Sequence, residues 1–313
     1  MVDALNSLSQ GVFTYSGTTI IAISNYYIYG SISIGGSVIL GVTGINPLGI
    51  VKDSLGNIYT ANNGANNVSK ITPLGVSTIL GTTGTSPSGI AIDSLGNIYT
   101  ANSGSDNVSK ITPLGVSSIL GTTGDAPVRI VIDNADNIYT SNNNSNDVSK
   151  ITPLGVSTIL GTTGTFPNGI AIDSANNIYT ANSGSNNVSK ITPLGVSTIL
   201  GTTDSSPIGI AIDSFDNVYT SNTGTTNVSK ITQLGVSTIL GTTGNIPYSI
   251  AIDSLDNIYT SNYGSNNVSK ITPLGASLII GLTQTNPYGI IVDSLNDVYV
   301  SNFTSNTVTK ITQ

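Results

Sequence analysis

The sequence predicts an all-β propeller of four-stranded antiparallel blades, and three observations carry that prediction. The first is a period. Asp53, Asp93, Asp133, Asp173, Asp213, Asp253 and Asp293 recur 40 residues apart, and the series Tyr59 to Tyr299 and Lys70 to Lys310 keep the same step. A unit of that length with strand-like content is a propeller blade. The second is that every copy holds four short runs rich in Ile, Val, Thr and Tyr, parted by turn residues. The third is that no run has the 3.6-residue apolar spacing of a helix.

One copy, residues 89–121, reads GIAIDSLGNIYTANSGSDNVSKITPLGVSSILG. Its first run is Gly89–Asp93 and its second Asn97–Asn102; the residues between them, Asp93-Ser-Leu-Gly-Asn97, carry the Asp and Gly of a tight hairpin turn. A longer polar loop, Asn102 to Asn107, leads to the third run, Asn107–Thr112. Pro113-Leu-Gly115 separates that run from the fourth, Val116–Gly121, because proline has no N–H to give a central ladder. A link through Pro127 opens the next copy. Each copy is therefore read as a meander of strands a, b, c and d.

The ends of the repeat bear on ring closure. The copy that begins at Gly281 stops at Gln313 after its third run. Residues 11–41 look like a degenerate copy: Gly11–Tyr15 stands where GIAID would, Ile20–Ser24 where IYTAN would, and Ser37–Gly41 matches STILG. One domain is expected over residues 1–313. Residues 1–41 form a degenerate first repeat and closure segment, and residues 42–313 hold seven clear repeats, the last without its outer strand. Eight blades are favoured, with residues near Val2–Leu5 completing the last one. Seven is the alternative: Ser37–Gly41 completes the last blade and residues 1–35 pack outside, which leaves three strand-like runs without a place. An unclosed ring would expose an edge for other chains to pair with.

Composition narrows the function. The chain has 313 residues and a net charge of −7; its 16 acidic residues are all Asp, its cations are eight Lys and Arg129, and it has no Cys, His, Trp or Glu. Disulfides and thiolate metal sites are excluded. An acidic balance with scattered Lys disfavours nucleic acid, which needs a basic face. No apolar run is long enough for a membrane span. Repeats free of Cys, weakly charged and rich in Thr and Asn suit an exposed environment. Without His, the usual nucleophile–base pairs cannot be built.

The motif P-x-GIAID-S-x-x-NIYTANSGxNNVSKITPLG, recurring over residues 47–313, resembles the NHL repeat and is similar to the repeats of virginiamycin B lyase-type propellers. The resemblance implies that GIAID is the innermost strand, beside the central channel, and VSTIL the outermost. It implies a binding platform, the usual role of NHL propellers. The lyase and the related lactonases and amidating lyases use His or Glu with a metal in the channel; this chain has neither residue type, so none of their catalytic positions carries over.

Three rings of residues invite chemistry. The aspartates could hold a hard cation, but each starts a turn, where a short carboxylate accepts the turn's own N–H groups, and that role is expected. The lysines are expected to be solvated on the third strand, and the tyrosines to pack between blades. The copies differ chiefly in the d–a link and the b–c loop, which open on one face. Tyr248, Tyr263, Tyr288 and Phe303 fall there in the last two copies, Tyr26 and Tyr27 in the degenerate one, and Phe166 in a middle one. Arg129 replaces a Gly at the start of an inner strand, four residues after Asp125; it either meets a ligand carboxylate or pairs with Asp125. The expected function is a non-catalytic module that recognises a protein or glycan through Tyr248, Tyr263, Tyr288, Phe303, Phe166 and Arg129. It is expected to be monomeric, with no cofactor or bound metal. The alternatives are a metal-dependent lyase or lactonase-type enzyme using channel Asp residues, and a structural coat protein.

Overall fold

The computed structural model describes residues 12–15, 18–21 and 36–313. Seven four-stranded antiparallel sheets follow one another as blades, and Val12–Tyr15 pairs with Thr18–Ile21 in a separate two-stranded sheet. In blade 1, strands a to d are Pro47–Lys52, Ile58–Asn62, Asn67–Ile71 and Ser77–Thr82. Blades 2 to 6 repeat this plan every 40 residues, with their a strands starting at Pro87, Pro127, Pro167, Pro207 and Pro247. Strand a of each blade lies against strand a of the next, so the GIAID runs line the hub.

Blade 7 takes Pro287–Val292, Val298–Asn302 and Thr307–Ile311 from the end of the chain and its outer strand, Ser37–Val42, from near the beginning. The ring therefore has seven blades, and the favoured count of eight is wrong. The register shows why. Ser37 faces Ile311 and Gly41 faces Val308, with a bulge between Ile39 and Gly41; in blade 1, Ser77 faces Ile71 and Gly81 faces Val68 across the same bulge. A side chain at Gly41 would strike Ile71 and Ser77 of blade 1, as one at Gly81 would strike Ile111 and Ser117 of blade 2. The run SVILG is an outer strand in every respect. The earlier strand-like runs do not call for an eighth blade, since two of their segments pair with each other. The proposed closure through Val2–Leu5 lies outside the described residues.

Strand b holds the blades together. All five of its residues are buried in each blade, because both its faces meet neighbours. At the first junction Tyr59, Ala61 and Val68 of blade 1 pack on Ile90, Ile98 and Ile111 of blade 2. Fully burying one such Ile or Val contributes about 1.5–3 kcal/mol before entropy is counted. In blade 1 the polar members of strand b are satisfied internally: the Thr60 hydroxyl donates to the Asn62 side-chain oxygen at 2.9 Å, and the Asn62 amide donates to Asn67 and Ser69.

The aspartates anchor the a–b turns. One Asp53 oxygen accepts the N–H groups of Leu55 and Asn57; the other accepts the Asn57 amide and the Tyr59 hydroxyl at 2.7 and 3.0 Å. Burial alone would raise this carboxyl, but the four donors outweigh it and hold it below its ordinary value; Asp93, Asp133, Asp213 and Asp253 behave alike. Burial and the adjacent carboxylate push the partner tyrosines upward. The ring lysines are not merely solvated: each ammonium lies 5.1–5.7 Å from the centre of its tyrosine ring, Lys70 over Tyr59 for example. The seam between blades 7 and 1 differs. Asp297 stands where other blades have Asn, and Lys52 crosses the seam to reach Asp293 at 2.8 Å, while Lys310 pairs with Asp297.

Two outcomes follow from the turn anchors. Asp133→Ala strands the Asn137 amide and the Tyr139 hydroxyl and is expected to cost about 1–3 kcal/mol; urea unfolding should show a lower midpoint, and an unchanged one would refute the role. Because these carboxyls titrate lower folded than unfolded, their stabilisation is complete above the unfolded pKa and is lost as pH falls through the folded values. The melting temperature should hold from about pH 8 to about pH 5 and drop steeply below about pH 4, with a shallower drop in the Asp53→Asn, Asp133→Asn, Asp253→Asn variant.

Candidate functional site

The variable loops do share a face. The Asn63 and Gly64 N–H groups of the b–c loop donate to the Asn46 and Ile45 carbonyls of the d–a link, and the bond recurs from Tyr263 to Ile246 and from Phe303 to Asn286. The residue before each strand-a proline holds a positive φ of 53–57°, at Asn46, Ser86, Ala126, Phe166, Ser206, Ile246 and Asn286. Side chains as different as Ile and Asn adopt it because the bonds on either side fix the backbone.

Just inside this face the inner strands crowd together. Glycines occupy one position in five blades, Gly49, Gly89, Gly169, Gly209 and Gly289, and a Cβ on Gly49 would lie 2.8 Å from the Ser88 carbonyl. Arg129 and Ser249 fill the same position in blades 3 and 6. Gly49, Gly89, Arg129, Ser249 and Gly289 line a hub cavity of about 100 Å³, room for little beyond water. A larger ligand must therefore sit at the mouth.

At that mouth the structure assembles most of the aromatic residues singled out from the sequence. Tyr248 and Tyr288 occupy equivalent places in blades 6 and 7, one residue before Ser249 and Gly289. Their ring centres are 4.1 Å apart, and the Tyr288 hydroxyl donates to the Tyr248 hydroxyl at 3.0 Å. Tyr263 lies 5.9 Å from Tyr248 and Phe303 6.3 Å from Tyr288, completing a half-buried aromatic row. Arg129 reaches across the hub from blade 3 and sets its guanidinium 5.0 Å from the centre of the Tyr288 ring. The local pair with Asp125 does not form: the ion pairs among the described residues are Lys52–Asp293 and Lys310–Asp297. Burial, with the neighbouring Tyr288 phenol, pushes the Tyr248 hydroxyl well above its ordinary value against the opposing pull of Arg129. Phe166 stays apart in blade 4, exposed beside Gly184 of its own blade. Tyr26 and Tyr27 lie outside the described residues.

Two positioning residues escaped the sequence reading. Ser261 accepts the Ser249 N–H and donates to the Tyr288 carbonyl at 2.6 Å; Ser221 does the same between Gly209 and the Tyr248 carbonyl. Each serine fixes a tyrosine on the following blade. The signal was present in strand b, which reads YTAN in three copies but YTSN in blades 3, 5 and 6 and YVSN in blade 7. The channel aspartates are committed to their turns, and among the described residues no group of three or more acidic side chains could hold a metal ion.

Comparison with known proteins places this chain in a family. A family model described as the virginiamycin B lyase family matches residues 117–311, more than half of the chain, and a beta-propeller repeat model matches residues 77–108. No curated protein matches the sequence. Virginiamycin B lyase from Staphylococcus aureus superposes with a TM-score of 0.78 at 20% identity, covering 89% of this chain and 98% of that one. A catalytically inactive histidine-to-alanine form of it, solved with quinupristin, gives 0.79 at 21% over the same shares. A gluconolactonase from Xanthomonas campestris gives 0.60 at 13%, covering 89% and 97%. At these identities the likeness shows the propeller fold. The family match overturns the expectation that the chain is not an enzyme. That expectation rested on missing His, Cys and Glu, and composition does not register that a guanidinium and two phenols converge. Through the match over residues 117–311, the chain belongs to the virginiamycin B lyase family.

Proposed function

We propose that this lyase-family propeller binds a small molecule at the hub mouth of its loop face and acts on it there, the ligand carrying both an aromatic or apolar ring and a carbonyl or carboxylate oxygen. The carrying observation is the guanidinium of Arg129 held over Tyr288 from across the hub. The aromatic row of Tyr263, Tyr248, Tyr288 and Phe303 offers stacking area. Arg129 offers a permanent positive charge with forked donors that suit a carboxylate. The Tyr248 phenol, its pKa raised, stays protonated at neutral pH and is an O–H donor. A fixed cation and a phenolic donor beside one another stabilise negative charge that develops on an oxygen. The chemistry differs in its groups from that of the S. aureus lyase, whose inactive form lacks a histidine, since this chain has none. Phe166, remote from the row, has no part in the reading.

Quinupristin is the probe for the test, by calorimetry for binding and by mass spectrometry for cleavage. Binding to the wild type is expected, with affinity on the order of a hundredfold weaker in Arg129→Ala. Tyr248→Phe should keep most of the affinity and lose cleavage. Absence of heat with the wild type, or equal affinity in Arg129→Ala, would sink the reading.

A further inference from the structure

We propose that the face opposite the loops is a self-association surface on which a second copy of this chain docks face to face. The a–b and c–d turns make up that face, and both are the same device. The Gly75 and Gly56 N–H groups close onto the Thr72 and Asp53 carbonyls, and the Thr72 and Asp53 N–H groups onto the Val76 and Asn57 carbonyls. Both glycines have positive φ, 81° and 85°. The residue before the glycine, Leu74 or Leu55, makes no bond that its side chain is needed for, and turn chemistry there favours Ser, Asn or Asp.

The chain places apolar residues at this point almost without exception. Leu74, Leu114, Leu154, Leu194, Leu234 and Leu274 are 92–97% exposed and form an outer ring. Nearer the hub, Leu55, Leu95, Phe215, Leu255 and Leu295 are 68–80% exposed and form an inner one, with Ala135 and Ala175 completing the series. Blade 7, whose outer strand comes from elsewhere in the chain, has no c–d turn to add. Soluble monomers rarely expose contiguous apolar patches beyond a few hundred Å². At about 60–120 Å² of apolar area per side chain, these eleven present about 660–1,320 Å², a range that spans the roughly 800 Å² per partner of a stable interface.

The occupant follows from symmetry and charge. The leucine rings lie on one face and the polar Asn, Ser and Thr loops on the other, so two copies cover both apolar faces by meeting through a two-fold axis, whereas head-to-tail stacking would leave leucines against polar loops. Concentric rings repeated about the hub are self-complementary. A lipid surface fits less well. The turn face carries Asp136, Asp216 and Asp256 beside Ala135, Phe215 and Leu255, offers no Trp, and belongs to a chain of net charge −7 whose nearby lysines lie over tyrosines or pair with Asp293 and Asp297, whereas interfacial binders present free cations and aromatic anchors. Two of these carboxylates are already engaged, Asp256 by Ser214 and Asp216 by Gln233. The proposal replaces the monomer expected from the sequence, and it is independent of the ligand site on the other face.

Sedimentation equilibrium of the full chain at micromolar concentration tests it. The wild type should be a dimer that tightens with added salt, as screened repulsion and burial both require. Leu114→Lys, Leu194→Lys and Leu274→Lys combined should weaken the dimer at least about a hundredfold while leaving the thermal melt unchanged, since exposed turn positions tolerate substitution. If that triple variant unfolds, Leu114→Ser with Leu194→Ser gives the same reading in milder form. A wild-type monomer would overturn the proposal, whether its leucines then prove to be covered by residues 1–35 of the same chain or to bind phosphatidylcholine vesicles. A dimer indifferent to the substitutions would overturn it equally.

Discussion

Strand b, buried on both faces, is the constraint from which the rest of the molecule follows. A strand covered on one side only can end a sheet stack; one that needs cover on both sides obliges every blade to have two neighbours. With seven copies of one interface, only a closed circle gives each blade that pair. Closure in turn sets the distance between inner strands, and that distance is short enough to demand glycine at five of the seven hub positions. The small hub cavity is thus a product of packing at the blade junctions.

Against such uniformity the exceptions carry the specific chemistry. Arg129 and Ser249 break the hub glycine series, Tyr248 and Tyr288 stand beside it, and Lys52 and Asp297 break the pattern at the seam. The exceptions cooperate. Ser221 and Ser261, themselves departures from Ala in strand b, hold the backbones of the two tyrosines. The opposite face follows the other principle, since its outer leucines repeat without variation and its inner turn position is apolar in every blade. One side of the disc is individual and the other generic.

Much of this was legible in the sequence because it is local. The Asp-to-Asn spacing encodes the a–b turn, the link and loop reveal a shared face by varying together, and the aromatic sector was visible as Tyr248, Tyr263, Tyr288 and Phe303. What depends on distant pairing was not legible. The degenerate residues 11–41 resemble a blade in order, yet Ser37–Val42 takes its place by register with Thr307–Ile311, at the other end of the sequence. Arg129 was seen to lack its glycine, but its partner is a ring on blade 7 and not the adjacent Asp125. The lysines, read as solvated, rest on tyrosines of the neighbouring strand. The likeness to the lyase propellers was legible in the repeat, but the composition without histidine pointed away from an enzyme.

The borrowed outer strand of blade 7 sets an order of events during synthesis. Ser37–Val42 leaves the ribosome before the first blade and Thr307–Ile311 only after the sixth, so the strand must wait for its partner until six blades have been made. Six blades can mature in sequence while this strand stays an orphan edge, open to pairing with another nascent molecule. Once Thr307–Ile311 arrives, the strand docks and the Lys52–Asp293 contact spans the seam between blades 7 and 1. From then on every described blade has a neighbour on each side, and unravelling must begin by breaking a closed junction.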